Sequence, residues 1–239
     1  MNVYIANFGR ENYEWPRCLA VGYVATMQDE RLHPFWAADD REGYIEQTLA
    51  HLKTAKGVTP VKSTASRWYN LGTIIMESSG DLWIHRHEDR IWWTMTLEEE
   101  GSIELEPDPK PAPWGSRDVC FYRKPCRPWS SSDELCRPLR WKAVHRKAHD
   151  FLTTEATLQR LGPDNAAYAR ALVRGEDLSE WHDRREWRAK TQTGPQAMPV
   201  TYGDARAKTF LQMITRAEDT ARAANGQSVE RRMKNKEFR

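Results

Sequence analysis

The chain has 239 residues, enough to bury a core without disulfide or metal staples and too few for three domains, so one main domain with a helical extension is expected. Hydrophobic residues make up 39% and charged residues 29%, and no apolar run approaches the roughly twenty residues that cross a bilayer, which excludes a membrane-spanning helix. The net charge of +2 conceals a division, because residues 1–116 carry 11 Lys and Arg against 18 Asp and Glu (−7) whereas residues 117–239 carry 25 against 16 (+9), an asymmetry that points to a polyanionic partner.

The opening MNVYIANFGRENYEW lacks the basic and apolar regions of a secretory signal and reads instead as a first strand over residues 3–8, ended by Gly9. A short helix over 12–19 and a strand over 22–26 follow. From Asp40, a candidate N-cap, Tyr44, Ile45, Leu49 and Leu52 recur at helical spacing until Gly57 and Pro60 stop them. Three β-rich runs, 72–77, 81–87 and 90–97, are separated by short polar loops and predict an antiparallel meander.

Four prolines between Glu106 and Pro113 forbid helix or central strand and predict a surface loop or lid, after which 119–123 returns as a strand. Helices are expected over 154–161, 164–174 and 179–190, a linker over 191–199, a helix over 204–224 and a basic tail. These elements divide the chain into a β domain (1–140), a helical extension with linker (141–200) and a C-terminal helix and tail (201–239), through which copies of the chain could associate.

Eleven tryptophans stand out, and Trp68, Trp83, Trp92 and Trp93 lie in or beside the expected meander. An indole face stacks a nucleobase, yet tryptophans also dominate cores. Without a signal sequence, Cys18, Cys120, Cys126 and Cys136 are expected reduced in a cytoplasmic protein. The spacing of the last three ahead of His145 and His149 does not match paired-cysteine zinc sites, and no metal or cofactor is expected. No Gly-x-Ser-x-Gly, phosphate loop, His-Glu-x-x-His or dinucleotide fingerprint occurs, so no complete catalytic site is expected. Basic residues interleave with Trp141, Trp181 and Trp187, a pattern suited to phosphates and stacked bases.

The first strands, the helix from Asp40 and the turn Ser79-Gly80-Asp81-Leu82-Trp83 leading into aromatic strands resemble the EVE and PUA-like β-barrel folds over roughly residues 1–125. The closing Lys234-Asn235-Lys236-Glu237-Phe238-Arg239 resembles the segment that introduces HNH nuclease domains in modification-dependent restriction proteins.

The resemblance implies an α+β fold, an antiparallel PUA/EVE-like barrel with flanking helices and a helical C-terminal part. It implies binding of double-stranded DNA through a modified, flipped base, as the specificity part of a restriction or phage-defence nuclease. By it, Trp68, Tyr69, Trp83 and Trp93 line the base pocket, Asn7 and Asp81 bond a base edge, and Arg67, Arg86, Arg140, Lys142, Arg146 and Lys147 meet phosphates. Two alternatives stand beside it: a nuclease site built from His85, His87 and Glu88, and a protein-interaction module docking through exposed tryptophans.

Overall fold

A computed structural model describes residues 1–54, 56–112, 114–184 and 187 of the chain. Residues 1–188 form one compact unit; the expected linker over 191–199, the helix over 204–224 and the basic tail lie outside the described residues, and any association through that helix with them.

The first strand, β1 (Val3–Ala6), is buried at all four positions, as a strand covered on both faces must be. Six further strands follow: β2 (Tyr23–Asp29), β3 (Leu82–His87), β4 (Arg90–Met95), β5 (Ser102–Pro107), β6 (Asp118–Pro125) and β7 (Leu158–Arg160). They make two sheets, ordered β4-β3-β1-β7 and β2-β6-β5.

Alternation along β1 divides the interior. Val3 and Ile5 join Leu82, Ile84 and the helix of residues 163–174 in one core, while Tyr4 and Ala6 join Trp83, Tyr23 and Tyr122 in a second core between the sheets.

The α+β character is as expected, but the strands do not close into a single antiparallel barrel among the described residues. β1 pairs with β3 in parallel, Ile5 opposite Ile84, and only β3 and β4 form a hairpin of the expected meander. The sheets are joined instead by backbone bonds from residues just past one strand to the last residue of another, Leu97 N–H to Pro125 C=O of β6 (2.9 Å) and Arg127 N–H to Met95 C=O of β4 (2.9 Å).

The helices are α1 (Trp15–Val21), α2 (His33–Ala37), α3 (Arg41–His51), α4 (Lys62–Glu77), α5 (Pro163–Arg174) and α6 (Ser179–His182). α3 starts where the sequence places it, with the Asp40 carboxylate accepting from Gly43 N–H at 2.9 Å.

Residues 72–77 are corrected from strand to helix, the last turns of α4. Ala65, Tyr69, Gly72 and Ile75 are its buried positions, a helical spacing whose packing overrides the β preference of Thr73, Ile74 and Ile75. Residues 154–161, expected helical, instead supply β7, which runs antiparallel to β1 with Ile5 opposite Gln159. The helix expected over 179–190 is described only as α6, four residues long.

β5 was not apparent in the sequence because nearly every residue in it is exposed. It is held on one edge by β6 and by Glu104 and Glu106, which both pair with the buried Arg123 (2.8 and 2.7 Å). All four cysteines are unpaired thiols. No helix among the described residues is long and apolar enough to cross a membrane.

Candidate functional site

Because β1 and β3 are parallel and in register, Asn7 leaves the first sheet at the same end as the β3–β4 hairpin tip. At that end opens a cavity of about 630 Å3, bounded by the end of β1, by β2, by α4, by residues 155–157 and by the proline-rich segment 108–116. Such a volume falls within the roughly 300–1,000 Å3 of small-molecule sites.

Its aromatic lining is Trp68 from α4, Trp114 from the proline-rich segment and Tyr44 from α3. Trp68 and Trp114 are half-buried, whereas Tyr44 is fully buried and forms wall. Met27, Leu32, Leu52, Leu71 and Val119 add most of the remaining apolar surface.

The polar lining is richer in acceptors than donors. Gln28, 6% exposed, donates Nε2 to the Trp68 carbonyl at 3.4 Å, and its buried Oε1 has no partner among the described residues. Asn7 donates Nδ2 to the Thr154 and Ala156 carbonyls (2.8 and 3.0 Å), which fixes the amide so that Oδ1 remains an acceptor. Glu11, Asp29, Asp108 and Glu155 also line the cavity, against Arg10 and Lys53. Burial pushes the Asp29 carboxyl up, but hydrogen bonds from Arg31 and from Ser116 N–H outweigh it and hold the group below the ordinary range.

The proline-rich segment is the loop expected from its composition only from Asp108 onward, Glu106 and Pro107 being the end of the edge strand β5, and it is fastened over the cavity as a strap. Arg10 Nη2 donates to Lys110 C=O (2.6 Å), Lys110 Nζ pairs with Glu11 (2.6 Å) and Ser116 N–H donates to Asp29 (2.9 Å). The Lys110 hydrogen bond lowers the Glu11 carboxyl.

Of the six residues expected to form the pocket, Trp68 and Asn7 meet in this cavity and four lie elsewhere. Tyr69 is on α4 but buried against Tyr44, its hydroxyl donating to Asp39 at 2.6 Å. Trp83 has no exposed surface, stacks on Tyr4 at 4.7 Å and donates Nε1 to Ser78 Oγ at 3.0 Å, so no face is left for a base. Trp93 lies opposite Ile84, packs against the other core and donates Nε1 to Ser132 C=O at 2.7 Å. Asp81 is buried and organises the turn before β3, accepting from Asn2 N–H at 2.5 Å.

The expected phosphate residues fall into two groups. Arg67 is exposed on α4. Arg86, Arg140, Lys142, Arg146 and Lys147 are exposed at or near the hairpin tip: Arg86 lies over Trp141 at 4.7 Å, Arg140 bridges to Arg90, and Lys142 N–H donates to Asp89. From Lys147 the chain needs only seven residues to reach Thr154, whose carbonyl holds Asn7.

His85, central to the nuclease alternative, is fully buried between Phe8 and Trp15, and its Nδ1 bonds the Ala6 carbonyl at 2.9 Å. Burial depresses it to about 4, so the ring is neutral. His87 and Glu88 are exposed, and among the described residues no group of three His, Cys, Asp or Glu side chains is placed to hold a metal ion.

Sequence reasoning missed Gln28, Trp114 and Tyr44. Two of them carried a signal: an amide near the end of the β-rich run 23–29, and a lone tryptophan in a proline-rich loop. No family model, curated protein or solved structure matches the chain.

Proposed function

We propose that this chain binds nucleic acid and holds one base, extruded from its stack, in the cavity beneath the strap. The observation that carries this is the pairing of half-buried Trp68 and Trp114 with the unsatisfied Gln28 amide in one concave site. Flat apolar faces stack any base, and a buried acceptor without a partner is costly until a ligand supplies a donor.

The basic surface at the hairpin tip supplies the phosphate contacts. Arg86, Arg140, Lys142, Arg146 and Lys147 position the backbone, and the cavity reads the base. This division suits the charge of the parts, because an acidic cavity repels a phosphate while admitting a base. The base is a modified one, in double-stranded DNA, and the fold is a relative of the PUA and EVE readers whose two sheets are stitched rather than closed. In a cell the chain serves cytoplasmic phage defence, as the specificity part of a modification-dependent restriction nuclease.

Titration of the intrinsic tryptophan fluorescence with matched duplexes carrying cytosine, 5-methylcytosine, 5-hydroxymethylcytosine or N6-methyladenine, at two salt concentrations, tests this. Quenching selective for one duplex, lost in Trp68→Ala and weakened by salt, is the expected result. Equal binding to all four, unaffected by Trp68→Ala, would remove base reading and leave a phosphate binder.

A further inference from the structure

Gln28 is the best-buried polar group in the cavity lining for which a donor is missing among the described residues, and the surrounding chain is built around it. It sits near the end of β2, where Nε2 faces the carbonyl of Trp68 on α4. A turn further along α4, Gly72 leaves the space it occupies: a Cβ there would stand 2.8 Å from Gln28 Nε2 and 2.8 Å from the Trp36 indole nitrogen. Glycine inside a helix costs about 1 kcal/mol relative to alanine, so at this position room for the amide and the indole takes the place of helix preference.

The carbonyl at Trp68 also decides which way the amide points. Reversing Gln28 would set two oxygens against one another, so Nε2 stays on the helix and Oε1 is the atom left over. Asn7 repeats the pattern, its NH2 consumed by two backbone carbonyls. Two amides of the lining thus have their NH2 groups engaged and an oxygen left over, while a third, Asn12, accepts from Phe8 N–H at 2.9 Å and keeps its NH2; the carboxylates of Glu11, Asp29, Asp108 and Glu155 outnumber the cations Arg10 and Lys53 around them.

From this, and resting on the base-reading proposal above, we infer that the cavity selects bases bearing an exocyclic amino group and that Gln28 Oε1 is the acceptor that reads it. An amino group brings two N–H bonds and partial positive charge to an acceptor-rich surface. The corresponding oxo base places a carbonyl oxygen there instead, which leaves Gln28 unsatisfied and sets like partial charges together. Cytosine-type and adenine-type bases are therefore substrates for this site, and uracil, thymine and hypoxanthine are excluded.

The test uses the full chain and oligonucleotides of one sequence in which a single central base is changed from amino to oxo: cytosine against uracil, 5-methylcytosine against thymine, and adenine against hypoxanthine. For at least one pair the amino member should bind about tenfold or more tightly, the size of effect expected when a buried acceptor loses its donor. Gln28→Leu should bring that ratio close to one while leaving the salt dependence unchanged.

The comparison of amino and oxo probes on the unmodified protein needs no variant, so a misfolded Gln28→Leu protein does not shelter the inference. Binding that depends on Trp68 but ignores the amino–oxo change, or favours the oxo base, would overturn this inference and leave base reading intact. Binding independent of both Trp68 and Trp114 would overturn both.

Discussion

Two aromatic regions of the molecule, built from the same residue types, behave differently. Between the sheets, Trp83 stacks on Tyr4, Trp15 lies against His85, and Trp129 meets both Phe8 and Trp15. All three indoles are at least nine-tenths buried, and two donate their N–H inward, Trp83 to Ser78 and Trp129 to the Tyr23 carbonyl. Around the cavity, Trp68 and Trp114 are half-buried, and Gln28 Oε1 lacks a partner among the described residues, as His85 Nε2 and Trp92 Nε1 do against Trp15, so the two regions differ in the exposure of their indoles. An indole with both faces covered is core whether or not every neighbouring polar atom is paired, whereas a half-open indole over a cavity has a face left for a ligand.

The comparison breaks most readily at Trp83. Trp83→Ala should destabilise the protein by about 3–5 kcal/mol, the range for large core aromatics, measured by chemical denaturation. A loss below about 1 kcal/mol would show that the block between the sheets is not core.

His85 extends the same contrast to pH. Its folded pKa of about 4 lies below the ordinary 6.5, so the unfolded chain takes up a proton first as pH falls. The stability from keeping this ring neutral is fully present above pH 6.5 and is lost as pH falls through 4, amounting to about 3 kcal/mol. Denaturation midpoints between pH 7.5 and 4 should follow this slope in the natural protein and flatten in His85→Leu; identical slopes would remove the assignment.

At the cavity the balance reverses. Trp114→Ala should cost no more than about 1 kcal/mol of stability, yet weaken binding of the preferred duplex about tenfold or more, because stacking on one indole contributes about 1–3 kcal/mol. Unchanged affinity would place the base elsewhere.

The smallest effect concerns the hairpin tip. Replacing Arg140 and Lys142 by alanine should lower affinity for every duplex alike and reduce the slope of log affinity against log salt by about one per lost phosphate contact. A change in base preference instead would mean that these residues touch the base.

How much of this was legible in the sequence depended on whether a signal was local. Asp40 capping α3, the helix over 164–174 and the prolines of the strap were readable because capping and ring constraints act over a few residues. α4 was missed throughout: residues 62–71 were assigned no element, and 72–77 read as strand because Thr73, Ile74 and Ile75 favour strands, whereas packing through Ala65, Tyr69, Gly72 and Ile75 decides for helix. β5 was missed because Glu104 and Glu106 find their partner, Arg123, far along the chain.

The pocket shows the same limit. Trp68 and Asn7 were named, but beside Trp83, Trp93, Tyr69 and Asp81, because composition does not distinguish an indole over a cavity from one over a core. Gln28 gains its meaning from the Trp68 carbonyl and from Gly72, contacts that exist only once β2 packs on α4.

The most direct test is the set of indole N–H resonances in a nitrogen–proton correlation spectrum of the labelled protein, assigned by single Trp→Phe variants and followed while the tightest of the four duplexes is added. Trp68 and Trp114 should shift or broaden with saturation at one duplex per chain, while Trp83, Trp15 and Trp129 stay in place. Movement of the Trp83 group with Trp68 and Trp114 unmoved would contradict the assignment of the cavity as the base site.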